Sequence, residues 1–279
     1  MSSNLAAPTN LSNHFMNIQA NGSRFHCRID GERGPWVVLS HGLACDLTMW
    51  DELAAALSDR YRVLRYDARG HGGSAAPDGD YSLDMLVADA AGIMDAVGID
   101  KAHFGGLSMG GMITQGMLLD HPNRIVSAVI ADSRHTTTPQ FTAAWLERAE
   151  TVRQHGVEAI VAASVERWSS AGLAERRQDL IARMERMIRA TSVNGYRGCA
   201  AALARLNYGH RLGEIDRPAL VICGSEDHGA PPENTRQMHQ MIKGSRFLEI
   251  KQAGHIANIE QPAIFNAAVR DFFIAHGAP

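Results

Sequence analysis

Apolar residues in this 279-residue chain gather in short unbroken runs. Between the runs lie longer stretches where they recur every three or four positions. The runs are FHCRI (25–29), WVVLS (36–40), YRVLRYD (61–67), AHFGGLS (102–108), IVSAVIAD (125–132), ALVICGS (219–225) and RFLEIK (246–251). Most lack polar alternation, which predicts strands buried on both faces of a sheet. DELAAALSD (51–59) and SLDMLVADAAGIMDAVG (82–98) have helical spacing instead. In the second, Leu83, Leu86, Val87, Ala90, Ile93, Met94 and Val97 form one stripe, and Gly98 stands where a helix stops. Strand and helix in alternation predict an α/β fold with a mostly parallel central sheet and helices on both faces.

The rhythm breaks between Arg134 and Ile215. WLERAETVRQHG, VEAIVAASVERW, AERRQDLIARMERMIRAT and GYRGCAAALARL read as four helices with no clear strand among them. One crossover rarely needs four helices. The pattern therefore predicts a helical cap, 134–215, over one end of a core built from 1–133 and 216–279. Crossover helices packed on the sheet face are the plainer alternative.

Composition narrows the class. With 45% hydrophobic and 20% charged residues the chain is not disordered. A net charge of −3 speaks against non-specific nucleic-acid binding. No apolar run approaches the roughly 18 residues of a membrane span. The opening MSSNLAAPTNLSNHF lacks a basic-then-apolar leader, so a cytoplasmic protein is expected. Cys27, Cys45, Cys199 and Cys223 form no CxxC pair and read as buried free thiols. The expected partner is a small molecule. Length and charge leave the oligomeric state open, a homo-oligomer included.

Gly106-Leu107-Ser108-Met109-Gly110 fits G-x-S-x-G, directly after the strand AHFGG and before the helical run GMITQGMLLD. Strand, tight turn and helix are the context a nucleophile elbow requires. The turn needs small neighbours, and Gly105, Gly106, Gly110 and Gly111 supply them. A serine hydroxyl is a weak nucleophile, so it needs a base and the base an orienting acid. On such an elbow the acid and then the histidine follow later in the chain. His255, in Ala253-Gly254-His255 after the last strand, fits the base; His228, His239 and His276 are rivals by position alone. Asp227, after ALVIC, fits the acid. Asp132, at the end of IVSAVIA one strand earlier, is its main rival, and Glu226 a weaker one. Acyl transfer also needs oxyanion donors. Met109, following the nucleophile, and Leu43, in His41-Gly42-Leu43-Ala44-Cys45 after WVVLS, would offer backbone N–H groups. His41 reads as a loop-positioning residue rather than a base.

Two other patterns carry no chemistry. Gly70-His71-Gly72-Gly73-Ser74-Ala75 matches G-x-G-x-x-A, but a Pro/Gly loop follows where a dinucleotide site needs a helix. No HExxH pair and no close Cys/His cluster is present, so no catalytic metal is expected.

LSHGL (39–43), DARGHGGS (67–74), GGLSMGG (105–111), GSEDHGAPP (224–232) and AGHIANIEQP (253–262) together resemble the α/β-hydrolase family, in the family's order over nearly the whole chain. A narrower resemblance is to 3-oxoadipate enol-lactonases and close relatives. It is carried by LSHGLACDLTMWD, VERWS, GYRGCAAAL and GHIANIEQP, and reaches into the cap around Trp168 and Gly195–Ala202. The oxyanion loop departs from that group: it begins Ser-Asn-Ser there and Ser40-His41-Gly42 here. Ser133-Arg134-His135-Thr136 also differs. The His-Gly form is widespread among other esterases and C–C bond hydrolases, which leaves the substrate open.

The resemblance implies a cofactor-free hydrolase of aromatic-compound and other small-molecule catabolism. His255 would take the proton of Ser108, Asp227 would hold the imidazole, and Leu43 and Met109 would hold the oxyanion. The cap would shape the pocket, with Trp145, Trp168 and Met187 as candidate lining residues; packing in the cap core is the plainer reading of each, since aromatic and Met residues at helical spacing usually pack. Arg134 is a candidate for a substrate carboxylate or a plain surface arginine. Opening of a lactone or ester is the first reading. C–C or amide cleavage on the same triad is the second, and a non-catalytic ligand receptor the third.

Overall fold

The computed structural model describes residues 14–277. Residues 1–13, including most of the segment read for a leader, lie outside them. Eight strands form one sheet in the order β1-β2-β4-β3-β5-β6-β7-β8. They are β1 (His14–Ala20), β2 (Ser23–Asp30), β3 (Trp36–Ser40), β4 (Arg62–Tyr66), β5 (Ala102–Leu107), β6 (Ile125–Ala131), β7 (Ala219–Gly224) and β8 (Arg246–Ile250). β1 and β2 run antiparallel to their neighbours, and β4 to β8 with β3 are parallel. Seven of these strands match the apolar runs. β1 does not, because an edge strand with one covered face has no unbroken run. Its signal was Asn21-Gly22, where φ of 42° and 69° turns the chain into a hairpin.

β5 and β7 are buried at every position, as interior parallel strands must be. Cover comes from α1 (Asp51–Leu57), which packs with the helix Pro262–His276, and from α2 (Leu83–Val97), which packs with α3 (Met109–Asp120). Ser82 caps α2 at its start by accepting the Met85 N–H. Gly98, at φ 77°, stops it in the left-handed conformation. All four cysteines are buried and free of disulfides.

β3 runs on to β4 on one side and β5 lies on the other, so the order reverses between β3 and β5. Loops leaving the carboxyl ends of those two strands diverge and open a crevice. The register aligns the ends: Ser40 pairs with Gly106, Leu107 with Ala131, Ala131 with Ile222.

Between β6 and β7 the chain makes a helical excursion. It contains α4 (Pro139–His155), α5 (Val161–Trp168), α6 (Leu173–Arg176), α7 (Gln178–Arg189) and α8 (Val193–Leu203). The third expected helix breaks at Arg177, whose φ −142° and ψ 65° leave the helical region. The excursion leaves and returns side by side: Tyr208 N–H donates to His135 O at 2.8 Å and Thr137 N–H to Leu206 O at 2.9 Å. Its α8 rests on the core through glycine. A Cβ on Gly195 would lie 2.0 Å from Gly70 O, and one on Gly70, at φ 81°, would lie 2.1 Å from Gly195 Cα.

Candidate active site

Ser108 links β5 to α3 with φ 57° and ψ −114°, a strained conformation for a residue with a side chain. The sharp turn is possible because its flanks lack side chains. A Cβ on Gly106 would sit 2.0 Å from Gly110 O, and one on Gly110 2.0 Å from Ser40 O. Ser108 N–H donates to Ala131 O at 2.9 Å, and Ser133 Oγ to Ser108 O at 2.8 Å, which tie the turn to the end of β6.

His255 reaches this serine from the loop after β8. Its Nε2 lies 3.0 Å from Ser108 Oγ. Its Nδ1 lies 2.9 Å from both carboxylate oxygens of Asp227, in the loop after β7. Asp227 Oδ1 also accepts the N–H groups of Gly229 at 2.7 Å and Ala230 at 2.8 Å. These bonds hold the buried carboxylate in place against the imidazole. Serine, imidazole and carboxylate therefore form one hydrogen-bonded chain across three strand ends.

The two rival acids point elsewhere. Asp132 Oδ1 accepts the Gly224 N–H at 2.7 Å. Complete burial, and then the charge of Asp227, push its carboxyl well above the usual carboxylate range. Glu226 Oε2 accepts the Ala171 N–H at 2.7 Å and so faces the helical excursion.

The loop after β3 is braced by two buried histidines. His41 Nε2 accepts the Ala68 N–H at 2.8 Å, and its Nδ1 donates to Gly42 O at 2.7 Å. His71 Nε2 accepts the Ala44 N–H at 3.0 Å, and its Nδ1 donates to Arg69 O at 3.1 Å. Burial first, then the nearby His41, push His71 down to about 3, so it stays neutral and keeps its acceptor. Cys45 N–H is bonded to Gly42 O at 3.1 Å. Of the three N–H groups at 43–45, only that of Leu43 has no partner among the described residues. Met109 opens α3, where an N–H has no carbonyl four residues back.

His71 is the functional residue the sequence reading missed, dismissed with a false nucleotide motif. Its signal was the pairing of DARGHGG with LSHGL. Glu260 was missed too. It accepts the N–H groups of Gly254 and Ser170, each at 3.2 Å, and the Ser170 hydroxyl at 2.5 Å. With the bond from His255 N–H to Trp168 O at 2.8 Å, it fastens the histidine loop to the excursion.

Ser108 and His255 open onto a cavity of about 130 Å³. Leu43, Arg134, Trp145 and Trp168 line it. Met187 does not: it is buried inside the excursion on α7, whose apolar stripe of Leu180, Met184, Met187 and Ile188 packs inward against α5. The cavity is also lined by Phe141, Arg148, Ser164, Arg167 and Tyr196, which were not singled out. Arg134 lies with its guanidinium 4.3 Å over the Phe141 ring and donates to Asn234 Oδ1 at 3.3 Å.

The family model for the alpha/beta hydrolase fold matches residues 35–262. This chain belongs to the α/β hydrolase fold family. Two curated relatives of this α/β hydrolase are 3-oxoadipate enol-lactonases 2 and 1 of Acinetobacter baylyi, each 33% identical. The first match covers 84% of this chain and 87% of the relative, the second 92% of both. Among solved structures, the enol-lactonase from Burkholderia xenovorans superposes with a TM-score of 0.89 at 38% identity, over 93% of this chain and all of that one. Among the described residues, no helix is long and apolar enough to cross a membrane, and no group of histidine, cysteine or carboxylate side chains could hold a metal.

Proposed function

We propose that this α/β hydrolase opens a small lactone or ester through an acyl-enzyme on Ser108. The observation that carries the reading is the hydrogen-bonded chain from Ser108 Oγ through His255 to Asp227, at the floor of a cavity beside two backbone N–H groups. His255 Nε2 accepts the serine proton as Oγ attacks the carbonyl carbon. Asp227 keeps Nδ1 protonated and stabilises the imidazolium that forms. The N–H groups of Leu43 and Met109 take the oxyanion, held in place by the His41 and His71 bonds behind the loop. The imidazolium then protonates the leaving oxygen. In the second half, His255 activates water, which releases the acid and restores Ser108.

The 33% identity to enol-lactonases across most of the chain favours a lactone or ester over other acyl substrates. Arg134, Trp145 and Trp168 line the cavity and would contact the acyl group. The protein is expected to release p-nitrophenol from short-chain p-nitrophenyl esters or to open simple lactones. Ser108→Ala is expected to lower kcat by about 10⁴-fold or more. Equal turnover by wild type and Ser108→Ala would remove the reading.

A further inference from the structure

The helix α5 stops at Ser169, where φ −85° and ψ 140° leave the helical region. The next two residues, Ser170 and Ala171, present their N–H groups in succession, and each meets a carboxylate. Ser170 N–H donates to Glu260 Oε1 at 3.2 Å, and its hydroxyl to Glu260 Oε2 at 2.5 Å. Ala171 N–H donates to Glu226 Oε2 at 2.7 Å. The two carboxylates come from the two loops that carry the acid and the base. Glu226 precedes Asp227. Glu260 ends the one-turn helix Ala257–Glu260 after His255 and reaches back to accept the Gly254 N–H at 3.2 Å.

The three segments also lie in direct contact. His255 N–H donates to Trp168 O at 2.8 Å, and Glu226 N–H to Ala253 O at 2.9 Å. A Cβ on Gly254 would lie 2.2 Å from Trp168 O, and one on Gly224 2.2 Å from Gly254 O. The acid loop, the base loop and residues 168–171 are thus layered with no room for a methyl group. Glu260 is only 7% exposed and Ser170 3%, so the carboxylate at the centre of this contact is cut off from water. Burial first raises the Glu260 carboxyl above its ordinary range, the bonds from Ser170 and Gly254 pull it back, and Glu226 pushes it up. Burying one carboxylate near another is unfavourable, and an apolar residue often fills such a space with less loss of stability. What the carboxylate adds is direction: two oxygens that hold three donors on two segments.

We propose that Glu260 is a positioning residue for His255, and that through it residues 168–171 of the excursion become a third support of the triad, beside the loops of Asp227 and His255. The proposal deepens the Ser108 reading and rests on it. His255 Nε2 stands 3.0 Å from Ser108 Oγ, the separation at which it can take the proton. A displacement of about 1 Å at such a contact can cost about 100-fold in rate. Without the Glu260 carboxylate, Gly254 N–H and both Ser170 donors lose their acceptor, and the loop under the imidazole is free to shift. Glu260 lies outside the residues that line the cavity. The loss therefore falls on kcat and not on KM.

The test combines steady-state kinetics on one p-nitrophenyl ester with amide hydrogen exchange read by mass spectrometry. Glu260→Ala should lower kcat about 10- to 100-fold with KM within about threefold of wild type. It should also speed exchange in the peptides spanning 168–171 and 253–257 by about tenfold or more. Glu260→Gln should restore most of both, because its amide oxygen accepts the two N–H groups and its NH2 donates to the Ser170 hydroxyl. If Glu260→Ala does not fold, Ser170→Ala removes one bond to the same carboxylate and should lower kcat about three- to tenfold at unchanged KM. A lower Tm with kcat intact in these variants would make Glu260 a structural residue only and overturn the proposal, leaving the hydrolase reading standing. A loss carried by KM would overturn it too. Faster exchange in Glu260→Ala, with no Ser108-dependent turnover in wild type, would keep the clamp and overturn the Ser108 chemistry.

Discussion

Asp132 and Asp227 are buried carboxyls at the ends of neighbouring strands, with different partners. Asp227 bonds the imidazole and two N–H groups; Asp132 accepts the Gly224 N–H through Oδ1 and does not reach the imidazole. Asp227→Asn is expected to lower kcat by about 10⁴-fold, because the amide stabilises neither the right tautomer nor the imidazolium. Asp132→Asn should stay within a few-fold of wild type, since burial shifts that carboxyl toward its neutral form, which an amide mimics, and an amide oxygen still accepts from Gly224. Steady-state kinetics on one ester separates the two. His71 makes a second residue-scale prediction. Its pKa lies near 3 in the fold and near 6.5 in the unfolded chain. Between those values the unfolded chain binds the extra proton, so the His71 contribution is full above pH 6.5 and declines as pH falls toward 3. Denaturant titrations of wild type and His71→Gln should differ in pH slope by up to about 1.4 kcal/mol per pH unit in that window. Parallel slopes would mean that His71 is not held neutral.

At the scale of elements, the turn around Ser108 was legible because its constraints are local. A tight strand-to-helix turn admits only small flanking residues, and Gly105, Gly106, Gly110 and Gly111 stand in plain sequence order. The strand ends carrying Asp227 and His255 were legible for a similar reason: an interior parallel strand leaves an unbroken apolar run, and a polar residue just past it marks the edge. What depends on packing between distant segments was not legible. The bond from Ala44 to His71 joins loops after β3 and β4, and nothing in GHGGSA alone distinguishes a brace from a phosphate loop. Met187 shows the converse. Helical spacing placed it on an apolar stripe, but which side of the stripe meets the cavity is decided by how α7 lies on α5. The seat of α8 on the core gives a test at this scale. Gly195→Ala would drive a methyl group into Gly70 O, at a cost of roughly 2 kcal/mol or more in stability. Thermal unfolding should report that loss, and an unchanged Tm would show that α8 docks otherwise.

For the whole molecule, the site belongs to no single segment. Loops after β3, β5, β7 and β8 converge at one sheet edge because parallel strands in register end together, and residues of the excursion between β6 and β7 line the same cavity. Fold and family follow from this pattern, and the order of elements along the chain made both readable. The chemistry depends on one further step: Ser108 Oγ must be the atom that attacks. Labelling with a fluorophosphonate ester tests it most directly, since an activated serine displaces fluoride and keeps the phosphonyl group. Peptide mass spectrometry is expected to find the adduct on Ser108 in wild type, with labelling lost in Ser108→Ala and slowed about 10³-fold or more in His255→Ala. An intact, folded protein that takes no label, or takes it at another residue, would contradict the account.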